Sequence, residues 1–76
     1  MEAILKFNLP EDKSDFNLAV KGSDWWYVCW QMDQYLRKKV KYDESLSEDV
    51  HNAYQDMRDE LRMMMNDSNV NFDEVE

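Results

Sequence analysis

Cysteine, histidine, glycine and proline each occur once in this chain of 76 residues, so the residue types that build most metal sites, phosphate loops and tight turns are nearly absent. A single Cys29 excludes an internal disulfide and makes a reducing compartment the natural setting. With one histidine, His51, and one thiol, no paired ligands exist for zinc. One glycine, Gly22, excludes a glycine-rich phosphate loop. It also leaves no calcium loop with the required central glycine, despite 17 acidic side chains. No apolar run is long enough to span a membrane, and no basic-plus-apolar leader opens the sequence, so the expectation is a protein that stays in the cell that makes it.

The missing residues also argue against catalysis. Cys29 falls on an apolar stripe and His51 in a different segment, so the thiol reads as a small buried group and not as a nucleophile. Acidic pairs such as Asp56 and Glu60 on a helix face read as solvated surface. No enzyme, cofactor or metal is expected.

What is present is concentrated in residues 23–42, SDWWYVCWQMDQYLRKKVKY, which hold all three tryptophans and the densest basic cluster. Ser23 as N-cap, Asp24 in the first turn and the absence of glycine and proline predict a long helix. Arg37, Lys38, Lys39 and Lys41 near its end suit the negative pole of the helix dipole. A stripe of Trp25, Val28, Cys29, Met32, Leu36 and Val40, with Tyr35 at its margin, has helical spacing and is expected to face the core. Trp26, Tyr27 and Trp30 point elsewhere, so the helix is either covered on two sides or displays a binding surface.

Residues 1–9 are apolar and short, which fits a strand or an extended arm lying over that spare face. Pro10, followed by Glu11 and Asp12, predicts a short helix that carries Phe16, Leu18, Ala19 and Val20 and stops at a left-handed Gly22. After a polar connection, with Ser45 and Glu48 at capping-box spacing and Ser47 as an alternative cap, a third helix carries Val50, Ala53, Tyr54, Met57, Leu61, Met64 and Met65 at helical spacing. Of the adjacent methionines, Met63 is expected to be exposed. The connection forces an antiparallel hairpin in which Leu36 and Val40 meet the start of the third helix, and Trp25 and Cys29 its methionine-rich end. The expected fold is mainly α: one domain over residues 1–76, a three-helix unit made of a long hairpin and a short N-terminal helix, with an N-terminal strand or arm. The tail, residues 67–76, is expected either to form a short strand beside Ile4 to Phe7 or to fray in part, with some ordered contact through Phe72.

Charge is uneven. Residues 1–42 carry seven basic and six acidic side chains, and residues 43–76 two basic and eleven acidic, so the net charge of −8 belongs to the second half. Such a surface disfavours duplex nucleic acid and anionic membranes and favours a basic partner. On the third helix Asp49, Asp56, Asp59 and Glu60 form its acidic side. On the second helix Trp26, Trp30, Gln34, Arg37 and Lys41 recur three or four apart, flanked by Tyr27 and Lys38. Aromatic platforms beside cations suit interface anchors and pockets that stack a base and neutralise phosphate. The competing expectation is that the N-terminal arm buries the tryptophans while Arg37 and Lys41 pair with Glu48 or Asp49.

The FNLPED of residues 7–12, the MDQYLRKKVKY of residues 32–42 and the following helix with Arg58 resemble small, acidic, largely uncharacterised proteins encoded by bacteriophages. The matching positions of the helix are Asp33, Leu36, Arg37, Lys41 and Tyr42; the Trp25–Trp26 pair departs from the pattern. The resemblance implies the cytoplasm of an infected bacterium and supplies no catalytic residues. Proteins of this kind suggest a noncatalytic inhibitor of a host enzyme or antiviral defence component, engaging it through the acidic helix and the aromatic-cationic face. The alternatives are a homo-oligomer that sequesters an anionic nucleotide signal, and a structural or assembly subunit.

Overall fold

The computed structural model describes residues 1–75; Glu76, the last residue of the expected tail, lies outside the described residues. Three helices follow one another, α1 (Lys13–Val20), α2 (Gly22–Tyr42) and α3 (Glu48–Asp67), and a 3-10 turn follows at Phe72–Val75. The mainly α, three-helix expectation holds, and among the described residues there is no strand. Residues 1–8 form an extended arm. It folds back on α1 through an edge-to-face contact of Phe7 with Phe16, 5.7 Å between ring centroids, and not over the tryptophans of α2.

Helix starts and stops differ from expectation where side chains compete for the backbone. A turn over residues 9–12 precedes α1, which starts at Lys13. Across that turn the Asn8 amide donates to the Asp12 carboxylate at 2.9 Å, so Asp12 spends its oxygen one turn before the helix begins. Gly22 is not a left-handed stop. It is the first residue of α2, and Lys21, at φ −94°, is the N-cap without a side-chain capping bond, so Ser23 is not the cap. The start of α3 follows the simpler reading: Ser47 is the N-cap, its hydroxyl accepting from Val50 N at 3.4 Å. Ser45 is drawn away from a capping box because its amide and hydroxyl both donate to Asp43. At the far end Asn69 takes a φ of 58°, the left-handed conformation that asparagine tolerates, and Val70 N closes on Met65 O at 2.9 Å.

The α2–α3 hairpin is antiparallel, as its cross-contacts show. The His51 ring bonds Val40 O at 2.9 Å, Tyr35 meets Tyr54 edge-to-face at 6.4 Å, and Asp33 meets Arg58 and Arg62. Trp25 and Cys29 share a hollow with Met65 at the methionine-rich end.

The faces, however, are rotated by about one residue from those expected. Leu36 is buried as predicted, but the only other buried residue among the described residues is the charged Asp33, with none of its surface exposed. Trp25, Val28, Met32 and Tyr35 of α2 and Val50, Met57 and Met64 of α3 are instead all at least 44 % exposed. Met64 therefore joins Met63 in solvent. Tyr54, Leu61 and Met65 do turn inward, together with His51, Gln55 and Arg58. Each misplaced residue precedes an inward position by one. In an antiparallel pair, a step of one residue back on either helix turns toward the same side of the hairpin. The exposed residues thus make one continuous apolar side.

Little surface is buried in consequence. The accessible area is 6742 Å², against about 4,900 Å² for a typical monomer of this mass. The radius of gyration is 17.1 Å, where a compact chain of this length has about 11 Å.

Candidate functional site

Tyr27, Trp30, Gln34, Arg37 and Lys41 each sit one position after an inward residue of α2, which places them on the side opposite the apolar residues, whereas Trp26 is itself an inward position. Trp26 stacks on Trp30 at 6.3 Å and Tyr27 on Trp30 at 6.0 Å, with interplanar angles of 13° and 14°, so the three rings form a short stacked array. The cover over Trp26 is the tail: Phe72 meets it edge-on at 6.0 Å, as the expectation of an ordered Phe72 required, though in a 3-10 turn and not a strand. Arg62 lies over the other partner of that contact, its Cζ 4.9 Å from the Phe72 centroid. Trp26 Nε1 is buried without a hydrogen-bond acceptor. Tyr27 and Trp30 remain in solvent, at 52 % and 36 % exposure.

Toward the C-terminal end of α2 the cations gather. Arg37 places its Cζ 5.6 Å from the centroid of Tyr42, which is itself largely exposed. Lys38 and Tyr42 line a shallow cleft with Lys39 and Asp43. Lys39 is committed elsewhere: it pairs with Asp43 at 3.4 Å and its ammonium lies 5.7 Å and 6.0 Å from the rings of Tyr35 and Tyr54. Hydrogen bonds from the Ser45 hydroxyl and amide, with a smaller contribution from Lys39, hold the Asp43 carboxyl below its ordinary range. Arg37, Lys38 and Lys41 have no carboxylate within ion-pair distance among the described residues, so the expected pairing with Glu48 or Asp49 does not form. The helix dipole accounts for only about half a charge of this cluster.

Gln34 belongs to a different constellation. It donates to Asp33 Oδ2 at 3.4 Å, at the edge of a buried ion cluster that sequence reasoning missed. Arg62 grips the same carboxylate with two nitrogens, Nε to Oδ1 at 3.0 Å and Nη2 to Oδ2 at 2.8 Å, and Arg58 Nε adds a contact to Oδ1 at 3.2 Å. Burial alone pushes the Asp33 carboxyl up; the hydrogen bonds from Arg62 and Arg58, then their charges, outweigh it and leave the group ionised with a lowered pKa. The available signal was the spacing of Arg58 and Arg62, one turn apart on α3 opposite a lone aspartate of α2.

That cluster has an electrostatic consequence for α3. Because its two arginines turn inward, Asp49, Asp56, Asp59 and Glu60 are left exposed as its outward charges. Asp59 accepts from Gln55 at 2.9 Å, and none of the four is in an ion pair among the described residues. Cys29 is half-buried and free. Among the described residues no helix is long and apolar enough to cross a membrane. Comparison with protein-family models, with characterised proteins and with solved structures finds no match to this chain.

Proposed function

We propose that this is a noncatalytic bacteriophage protein that works by stoichiometric capture in the cytoplasm of the infected cell: copies assemble through the apolar side of the hairpin, and the aromatic-cationic side sequesters an anionic nucleotide signal. The observation that carries this reading is the clustering of three cations, Arg37, Lys38 and Lys41, beside the exposed Tyr42, none of them in an ion pair among the described residues of a chain with 17 acidic groups. Cations that ignore so many available carboxylates are suited to an external anion. An aromatic face next to them can stack a base.

Assembly is supported by area. The excess of about 1,800 Å² over a typical monomer exceeds the roughly 800 Å² that each partner contributes to a standard interface. Pairing through the apolar side would leave the cationic cluster of each copy on an outer face, so that every copy carries its own ligand site.

The test is a thermal-shift panel of mono-, di- and cyclic nucleotides on the full chain, with light scattering on the same samples. A ligand at one hundred times its Kd stabilises by about 2.7 kcal/mol, a shift of about 10 °C or more for a chain this small. Arg37→Ala should remove that shift. A monomeric mass at all concentrations, or a shift that survives Arg37→Ala, would refute the reading.

A second reading rests on the outward charge of α3: its acidic side engages a basic surface of a host enzyme or defence component, with charge supplying association rate. It predicts that reversal at Asp56 and Glu60 slows association at low salt while the helical signal is unchanged.

A further inference from the structure

At the other end of α2 from the cations, about 20 Å along the helix, the chain encloses a hollow of about 350 Å³. Its walls are the flat rings of Trp25, Trp26 and Phe72, the thioether of Met65 and the thiol of Cys29. The corner between α1 and α2 leaves it open, since a side chain at Gly22 would meet nothing within 4 Å. We infer that this hollow is a binding site for a small planar aromatic molecule, neutral or positively charged, distinct from the cationic cluster.

Three observations converge on that chemistry. The volume lies in the range of small-molecule pockets, and apolar cavities of less than half this size, about 150 Å³, already take up benzene. Three of the lining side chains, Trp25, Trp26 and Phe72, are aromatic, and with the Met65 thioether they make a lining that favours a flat ring. The charged group at the rim is an acid: Glu74 is held there by the bond from Asn71 N to its Oε1 at 2.8 Å, so anions are repelled. Trp26, one of the lining residues, gives the site a reporter in its indole N–H, which is buried and has no acceptor.

The experiment is a titration of the 15N-labelled full chain with three probes of equal shape class: N-methylquinolinium, quinoline and 1-naphthalenesulfonate, read at the indole N–H signal of Trp26. The cation and the neutral ring should move that signal saturably in the millimolar range expected of about ten heavy atoms, and the anion should bind at least several-fold more weakly. Glu74→Gln should abolish the preference for the cation and leave quinoline unchanged. Val70→Trp, a change at the exposed mouth, should block all three; Cys29→Phe fills the same space from the opposite wall should the first variant fold poorly. Absence of saturable movement with the unmodified chain, equal binding of the anion, or binding that survives Val70→Trp would overturn the assignment. So would a Trp26 signal that moves with protein concentration alone and then no longer responds to probe, because a second copy would then fill the hollow.

Discussion

Asp33→Ala should come close to unfolding this protein, although no catalytic or ligand role is assigned to the residue. Removing one member of a buried ion cluster leaves the others uncompensated, a loss of about 3–5 kcal/mol when all are dry. Here Arg58 and Arg62 are 19 % and 47 % exposed, so water recovers part of their solvation. A cost of about 2–3 kcal/mol is the reasonable expectation after that discount. A core of this size supplies roughly 3–5 kcal/mol in total, so the remaining margin is small. The assay is urea unfolding followed by circular dichroism at one fixed protein concentration, since any assembly couples stability to concentration. The midpoint should fall by about 2 M or more.

Acid titration separates charge from shape. The folded carboxyl lies below its ordinary value of 3.8, so ionised Asp33 stabilises fully above the unfolded pKa and progressively less as pH falls from there through the folded value. Asp33→Asn keeps the shape and lacks that titration. The stability gap between wild type and Asp33→Asn should therefore be full at pH 7 and close below about pH 4. Parallel pH profiles, or a gap below about 0.5 kcal/mol at pH 7, would refute the view that Asp33 holds the hairpin through its charge. Replacing the whole cluster, with Asp33→Leu, Arg58→Met and Arg62→Leu together, should restore stability, because no charge is then left unpaired.

Leu36→Ala removes the only buried apolar side chain among the described residues and should cost about 2–3 kcal/mol, the low end for such truncations because its surroundings are open enough to relax; urea unfolding reads it directly. Phe72→Ala uncovers Trp26 and removes the ring beneath Arg62, so tryptophan emission should move to longer wavelength and iodide quenching should rise, with helix content unchanged.

Much of the fold was legible because helix signals are local. The helical spacing of apolar residues along the 20-residue α3, the Ser47 cap and the short connection specify an antiparallel hairpin without reference to anything distant. The ends of α1 and the start of α2 were not legible for the same reason in reverse. Whether Asp12 caps a helix or ties a turn, and whether Gly22 stops one helix or starts the next, depends on which of several nearby backbone groups takes a side-chain oxygen. Those alternatives differ by about 1 kcal/mol or less and tertiary context decides them.

The candidate site divides along the same line. Stacking of Trp26, Tyr27 and Trp30 follows from helical spacing and could be read directly. That Arg37, Lys38 and Lys41 stay unpaired could not, because side-chain pairing across a loop depends on the rotation of both helices. Phe72 was expected to find a contact, but not that it would wall a hollow with Met65 and two tryptophans.

The rotation of the helices is the decisive difference, and it has a physical cause. A period argument assigns the inward face to the most apolar stripe, because burying a lone carboxylate costs more than exposing a few methionines. Arg58 and Arg62 reverse that balance by bonding Asp33 from the facing helix, and once Asp33 is central, Trp25, Val28 and Met32 are carried to the side together with Val50 and Met57. An apolar stripe that would have been the core of a monomer becomes an uncovered face. Its exposure is unfavourable for an isolated chain and favourable for one that meets its own copy, so the charged cluster inside the hairpin and the apolar side outside it are two results of one helix orientation. Solution mass then tests both: a chain that remains monomeric at high concentration would put the apolar stripe, and not Asp33, back at the centre of the hairpin.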